Sequence, residues 1–131
     1  MQKLSLILLL STTANAEINQ RLLDVHNAYR AIHQQPVLEY DHAAKSVSHD
    51  HAKAISQNDC KIIKRDNQNV LITDVPFDPV FIVYSWFKDD TTNDHYNVIS
   101  HINWKFGCSQ SSCGNGKKVF VCTYLNGFDD E

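Results

Sequence analysis

Three stretches of the chain repeat apolar side chains at the spacing of an amphipathic helix. The first runs from about Ile18 to His33, and the second from Asp41, whose carboxylate can cap free backbone amides, to about Gln57. The third starts at Asp78, a good N-cap, with Pro79 in the first helical position. The predicted apolar stripes are Ile18, Leu22, Val25, Tyr29 and Ile32 in the first helix, Ala44, Val47, His51 and Ile55 in the second, and Val80, Phe81, Tyr84 and Phe87 in the third, with Trp86 beside it.

The C-terminal part of the chain has the pattern of a β-hairpin. Ile102, Trp104 and Phe106 alternate with polar residues, and the segment from Lys118 to Tyr124 is rich in β-branched and aromatic side chains. Between these two segments, Gly114-Asn115-Gly116 is a strong turn signal. We therefore predict that the helices are followed by two antiparallel strands.

The N-terminus has the features of a secretory signal peptide. Lys3 supplies a positive charge, Leu4 to Leu10 is almost wholly apolar, and Ala14-Asn15-Ala16 fits the rule for cleavage. We expect residues 1–16 to be removed and residues 17–131 to form the mature, secreted and extracellular protein. No later segment approaches the roughly 20 apolar residues that a membrane-spanning helix needs, so we predict no membrane span.

Length and charge narrow the class of protein. A mature chain of about 115 residues suits one domain with one core, and we expect a monomer. The formal net charge is −3, and the basic residues are scattered rather than gathered into a stripe. Because nucleic-acid binding depends on a concentrated positive surface, DNA and RNA are not expected as partners.

Four cysteines lie in the chain, three of them near its C-terminal end. An even number of cysteines in an exported chain favours two disulfides over a zinc site, and no Cys-x-x-Cys spacing is present. A bridge from Cys108 to Cys122 would fit across the predicted hairpin, which would leave Cys60 for Cys113. The spacing alone leaves the other two connectivities open.

Several motifs resemble those of the CAP superfamily, the cysteine-rich secretory proteins, antigen 5 proteins and pathogenesis-related class 1 proteins, which share the SCP domain. This chain is similar to a short and divergent member. The resemblance implies an α+β fold, a three-layer α-β-α sandwich with a small antiparallel sheet, and it supports pairing Cys60 with Cys113 and Cys108 with Cys122. The matching residues are Leu23 to Arg30, Pro36, Leu38, Tyr40-Asp41, Asn67 to Val70, Trp86, His95-Tyr96, Gly107-Cys108, Cys113 and Val121-Cys122-Thr123-Tyr124.

The resemblance also implies a central cleft, in which the family commonly holds two histidines and two acids that can bind a divalent metal. His95 matches the second histidine, and Asp89, or its neighbour Asp90, matches the acid after the signature tryptophan. Gln68 stands in place of the other acid, and Ile63 in place of the first histidine. The ligand-cleft candidates are therefore His95, Asp89, Gln68 and Asp90. With the metal set depleted, we expect no cofactor, and His95 is a weak candidate as a zinc ligand.

Catalysis is not expected. If every cysteine is oxidised, no Cys-His pair can form, and Ser100 and His101 would point to opposite sides of an extended segment. His42, His49 and His51 lie on or near one predicted helix, but no carboxylate or cysteine is placed to complete a metal site.

The sequence therefore predicts a secreted, non-catalytic CAP-domain protein that acts by binding a partner. The resemblance permits a small apolar ligand, a sterol or a fatty acid, and a protein surface is the other reading. The alternatives are a divalent-metal-dependent hydrolase-like member of the family, such as a protease, and a structural paralogue with a degenerate cleft. Most of the aromatic residues in the third helix region are expected in the core.

Overall fold

The computed structural model describes residues 14–126, so most of the predicted signal peptide lies outside the described residues. Within residues 14–126, no helix is long and apolar enough to cross a membrane. The helices are α1 (Ala14–Ile32), α2 (His42–Gln57), α3 (Pro79–Phe87) and α4 (Asn93–Ile99). The strands are β1 (Glu39–Tyr40), β2 (Gln68–Thr73), β3 (Asn103–Gly114) and β4 (Lys117–Asn126).

The predicted starts of the second and third helices are confirmed, whereas α1 begins at Ala14, before the predicted start near Ile18. The carboxylate of Asp41 accepts a hydrogen bond from the amide of Ala44, and that of Asp78 accepts from the amides that follow Pro79. Helix α4 was not predicted, because it has only seven residues and most of them are polar. It begins after Thr92, whose hydroxyl accepts a hydrogen bond from the amide of His95.

The strands form one sheet in the order β1-β3-β4-β2. Strand β4 pairs antiparallel with β3, as the hairpin pattern predicted, and it also pairs antiparallel with β2. Strand β1 pairs with β3 in the parallel sense. The expected antiparallel sheet is thus a mixed one. Two residues of β1 can join in parallel because α2, β2, α3 and α4 form the long crossover that a parallel pair needs.

The sheet separates two cores, which gives the three layers of the sandwich. Val119 and Val121 face α2, whereas Phe120 and Cys122 face the side on which α1, α3 and α4 pack. This separation follows from the alternation of side chains along a strand. The three-layer α-β-α architecture expected from the sequence is therefore confirmed.

The two disulfides join Cys60 to Cys113 and Cys108 to Cys122. Cys108 and Cys122 lie directly opposite each other in the β3-β4 register, so one bridge spans the hairpin. The other bridge ties the chain just after α2 to the end of β3. The turn at Asn115-Gly116 has positive φ at both residues, as the sequence signal indicated.

The buried faces of the helices differ from the predicted stripes. In α3 the buried side chains include Ile82, Val83 and Trp86, and in α2 Ser48 is buried where Val47 was expected. Trp86 is a core residue rather than an addition beside the stripe. In β3, Asn103 is buried while Trp104 is exposed, because the register with β4 shifts between residues 103 and 105. Large parts of the predicted stripes are exposed, namely Ile32, Val47, Val80, Phe81, Tyr84, Ile102 and Trp104.

Polar residues occupy the core face of α1. The ring of His26 is fully buried and hydrogen-bonds the carbonyl of Leu22 and the hydroxyl of Tyr124, at 2.7 and 2.6 Å. The guanidinium of Arg30 is also buried and donates to the carbonyls of Pro36, Val98 and Asn103. Because these partners satisfy the polar groups, α1 can turn this face inward and leave part of its apolar stripe outside.

Candidate functional site

Three of the four cleft candidates lie together. His95, Asp89 and Asp90 line one cavity of about 490 Å³. His33, at the end of α1, and Lys88, at the end of α3, line the same cavity. The remaining lining residue is Phe87. We call this cavity, bounded by these six residues, the polar cleft.

Gln68 lies elsewhere. Its side chain is fully buried and its amide donates a hydrogen bond to the hydroxyl of Thr123 at 3.0 Å. That hydroxyl also bonds Ser48 of α2, so Gln68 faces the α2 layer. The next residue, Asn69, points to the opposite face and donates to the carbonyl of Asp94 in α4. The sheet therefore separates Gln68 from His95, and Gln68 does not line the polar cleft.

His95 is held by the chain that ends α3. Its Nδ1 is 2.6 Å from the carbonyl oxygen of Phe87, and its ring stacks on that of Phe87 with centroids 4.5 Å apart. A carbonyl can only accept, so Nδ1 of His95 is the donor in this hydrogen bond. The histidine is more than nine-tenths buried. Its position is thus fixed by α3 rather than by either aspartate.

The carboxylate of Asp89 accepts hydrogen bonds from a residue of the same turn. Its Oδ1 accepts hydrogen bonds from the hydroxyl of Thr91 at 2.6 Å and from the amide of the same residue at 3.1 Å. These two hydrogen bonds, aided by the nearby His95, lower the pKa of the Asp89 carboxyl. Asp89 therefore brings a negative charge to the polar cleft.

The donor set does not fit a metal centre. Within residues 14–126, no three histidine, cysteine or acidic side chains are grouped closely enough to hold a metal ion. Ile63, at the position of the missing histidine, is exposed and offers only its backbone carbonyl, which lies 2.8 Å from Nε2 of His51.

A second cavity lies between α1 and α3, and the sequence did not predict it. This apolar groove has a volume of about 430 Å³. Trp86 holds α3 in place beside it, because the indole N–H donates to the carbonyl of Val70 at 3.1 Å. The groove is lined by Asp24, Val25, Ala28, Tyr29 and Ile32 of α1 and by Val80 of α3.

The sequence did contain a signal for the groove. The predicted apolar stripes of α1 and α3 include four of the lining residues, namely Val25, Tyr29, Ile32 and Val80. Ile32 is 77% exposed and Val80 is 59% exposed, so both stripes reach the surface. Tyr84, one turn after Val80 on the same side of α3, is 53% exposed. Both helices carry an apolar stripe, but part of each stripe lines the groove instead of the core.

The groove and the polar cleft share a wall. Tyr29 lines the groove, Phe87 lines the cleft, and their rings stack with centroids 4.2 Å apart. Ile32 and His33 are neighbours in the chain and likewise line one cavity each. A ligand in the groove would therefore end close to the polar cleft.

Solved structures with low sequence identity share this fold. The hookworm platelet inhibitor is 19% identical, with a TM-score of 0.66 over 86% of this chain and 70% of its own. MpPR-1i is 19% identical, with a TM-score of 0.66 over 85% of this chain and 88% of its own. An extracellular protein with an SCP domain from Bacillus anthracis strain Ames is 15% identical, with a TM-score of 0.66 over 86% of this chain and 41% of its own.

At these identities the likeness shows the fold alone, and no curated protein sequence matches the chain significantly. A family model provides the assignment. The model described as "Cysteine-rich secretory protein family", abbreviated CAP, matches residues 23–124, which is most of the chain. This range includes the groove, the polar cleft and all four cysteines. The chain therefore belongs to the CAP family of cysteine-rich secretory proteins.

Proposed function

We propose that this protein is secreted and binds a small apolar ligand in the groove between α1 and α3, without catalysing a reaction. The observation that carries the proposal is the apolar groove itself, in which five of the six lining residues are uncharged and largely hydrophobic. Its volume of about 430 Å³ lies in the range of small-molecule sites, roughly 300–1,000 Å³.

Exposure of the lining residues supports this use of the groove. Large apolar side chains that stay in contact with water mark binding sites when they form a continuous patch. Between Asp24 and Ile32 the α1 wall is about 12 Å long, because a helix rises about 1.5 Å per residue. An apolar ligand lying along this wall would remove Val25, Tyr29 and Ile32 from water together.

The polar groups support binding rather than catalysis. Nδ1 of His95 donates a hydrogen bond to the backbone carbonyl of Phe87. The described part of the chain has no free cysteine. At the surface, Ser109 Oγ lies 3.5 Å from His49 Nδ1, which is the limit of a hydrogen bond. Two disulfides are typical of proteins in an oxidising space, which supports secretion.

A matched pair of variants tests the groove. Ala28 lies in the groove, and Ala54 is also an exposed alanine, on α2 outside the groove. Ala28→Trp should fill the groove and weaken binding of the fluorescent sterol dehydroergosterol at least about tenfold, a loss of about 1.4 kcal/mol. Ala54→Trp should leave binding unchanged. Saturable binding that is equal in both variants, or no saturable binding in the unmodified protein, would contradict the proposal.

A protein partner is the second candidate, and an exposed tryptophan favours it. Trp104 is 58% exposed and lines a separate small cavity with Val37, which is 64% exposed. Tryptophan is enriched among the residues that dominate protein interfaces. If this patch is the functional surface, Trp104→Ser should abolish binding to the partner while Ala28→Trp has no effect on it.

A further inference from the structure

The end of the groove at Asp24 is negatively charged. Asp24 is the one charged residue among the six that line the groove, and its Oδ1 accepts a hydrogen bond from the side-chain amide of Gln20 at 2.8 Å. An amide donor leaves the negative charge in place. Arg21, one turn earlier, instead lies over the ring of Phe77, 5.1 Å from its centroid. The salt bridge recorded within residues 14–126 joins Lys64 to Asp94 and involves neither Arg21 nor Asp24.

The other end of the groove also carries a net negative charge. It adjoins the polar cleft, whose lining includes Lys88, Asp89 and Asp90. The formal charges of these three side chains sum to one negative charge. Asp89 is held in its ionised form by the two hydrogen bonds from Thr91.

A carboxylate on the ligand would therefore meet net negative charge in either orientation. Two like charges about 4 Å apart in water weaken binding by about fivefold, and by more where water is excluded. A hydroxyl or an ammonium group would instead donate a hydrogen bond to Asp24 or to the cleft aspartates.

We infer that the ligand of this groove is a long hydrocarbon whose polar end is a hydrogen-bond donor without negative charge, a hydroxyl or an amine, and not a free fatty acid. The inference rests on the proposed function and selects among its ligands. Sterols and long-chain alcohols or amines satisfy it.

Three probes that share one hydrocarbon chain test the inference. Palmitate, the corresponding alcohol and the corresponding amine are compared as competitors of dehydroergosterol at neutral pH, low salt and concentrations below micelle formation. The alcohol and the amine should compete at least about fivefold more strongly than palmitate. High salt should reduce the difference in competition strength between the amine and palmitate, because salt screens charges at the surface.

Charge-removing variants locate the effect. Asp24→Asn, or the double variant Asp89→Asn and Asp90→Asn, should bring palmitate close to the alcohol in affinity, and whichever does so identifies the end that holds the polar group. Asp50→Asn is the matched control, because Asp50 is an exposed aspartate of α2 that lines neither the groove nor the polar cleft.

The outcomes separate the inference from the proposed function. If palmitate competes more strongly than the alcohol, and Arg21→Gln removes that advantage, the inference is wrong while the groove remains a ligand site. Equal competition by all three probes, unchanged in every aspartate variant, also overturns the inference alone. If neither dehydroergosterol nor any of the three probes binds, the proposed function itself is overturned.

Discussion

Single polar residues determine which face of α1 is buried. His26 donates from Nδ1 to the carbonyl of Leu22 and accepts at Nε2 from the hydroxyl of Tyr124, so its neutral ring is fully satisfied. Burial raises the pKa of the Tyr124 hydroxyl well above its usual value, which keeps that hydroxyl a donor. Sequence reasoning could not identify Arg30 as a core residue, because arginine is almost never fully buried.

The buried His26 makes stability depend on pH. Burial, together with the positive charge of Arg30, lowers its pKa from 6.5 to about 4, although the Leu22 carbonyl acts in the opposite direction. Between pH 4 and pH 6.5, His26 is therefore protonated in the unfolded chain and neutral in the folded chain. Stability is full above pH 6.5 and is lost as the pH falls toward 4, by up to about 3 kcal/mol from this group.

Urea denaturation at pH 7.0 and at pH 4.5 measures this effect. In His26→Phe, whose ring cannot titrate, the difference in unfolding free energy between the two pH values should shrink by about 2 to 3 kcal/mol. Exposed His42 provides the control, since His42→Gln should keep the full difference. A pH difference that is the same in all three proteins would show that His26 is not the group responsible.

Arg30 should be more sensitive to substitution than its charge alone suggests. Its guanidinium donates to three backbone carbonyls at 2.6 to 3.1 Å, and a lysine ammonium cannot reach all of them in that fork geometry. Arg30→Lys should lower the free energy of unfolding by about 2 to 4 kcal/mol. Arg65→Lys, at an exposed position, should change it by less than about 0.5 kcal/mol. Similar small losses in both variants would contradict this account.

At the scale of the elements, the sequence was most reliable about where helices and strands begin. Asp41, Asp78 and the Gly114-Asn115-Gly116 turn act through neighbouring backbone groups, so their effect can be predicted locally. The face that a helix buries depends instead on partners far away in the chain. Val80 and Ile82 are both good core residues by composition, and only packing against the sheet decides that Ile82 is buried.

The contact between α2 and β3 depends on the absence of a side chain at Gly107. A Cβ built there would lie 2.2 Å from the backbone nitrogen of Lys45, which cannot move without shifting α2. Ser48 also donates to the Gly107 carbonyl at 2.7 Å, which fixes the helix on the strand. Gly107→Ala should lower the free energy of unfolding by about 3 kcal/mol or more.

Gly114 offers a comparison for this prediction. A Cβ at Gly114 would meet no atom within 4 Å, and the cost of Gly114→Ala arises from its φ of +78° alone. That cost should be about 1 to 2 kcal/mol. Thermal and urea denaturation measure the loss of unfolding free energy in both variants. A smaller loss in Gly107→Ala than in Gly114→Ala would contradict the packing argument.

At the scale of the whole molecule, the fold was predictable and the site only partly so. The sandwich could be expected because several motifs, among them those around the cysteines, resemble the CAP superfamily, and the hairpin signals lie close together in sequence. His95, Asp89 and Asp90 do converge, whereas Gln68 faces the other layer because of the strand register. The groove forms only where α1 packs beside α3, and no local sequence pattern predicts that packing.

The central claim is that the apolar groove, and not the polar cleft, is the primary ligand site. Backbone amide NMR spectra recorded during titration with dehydroergosterol test it most directly. The predicted result is saturable shift changes centred on Val25, Ala28, Tyr29 and Val80, with smaller changes at His33 where the two cavities meet. Changes centred on Asp89 and His95 or on the Trp104 patch, or no saturable change, would contradict the claim.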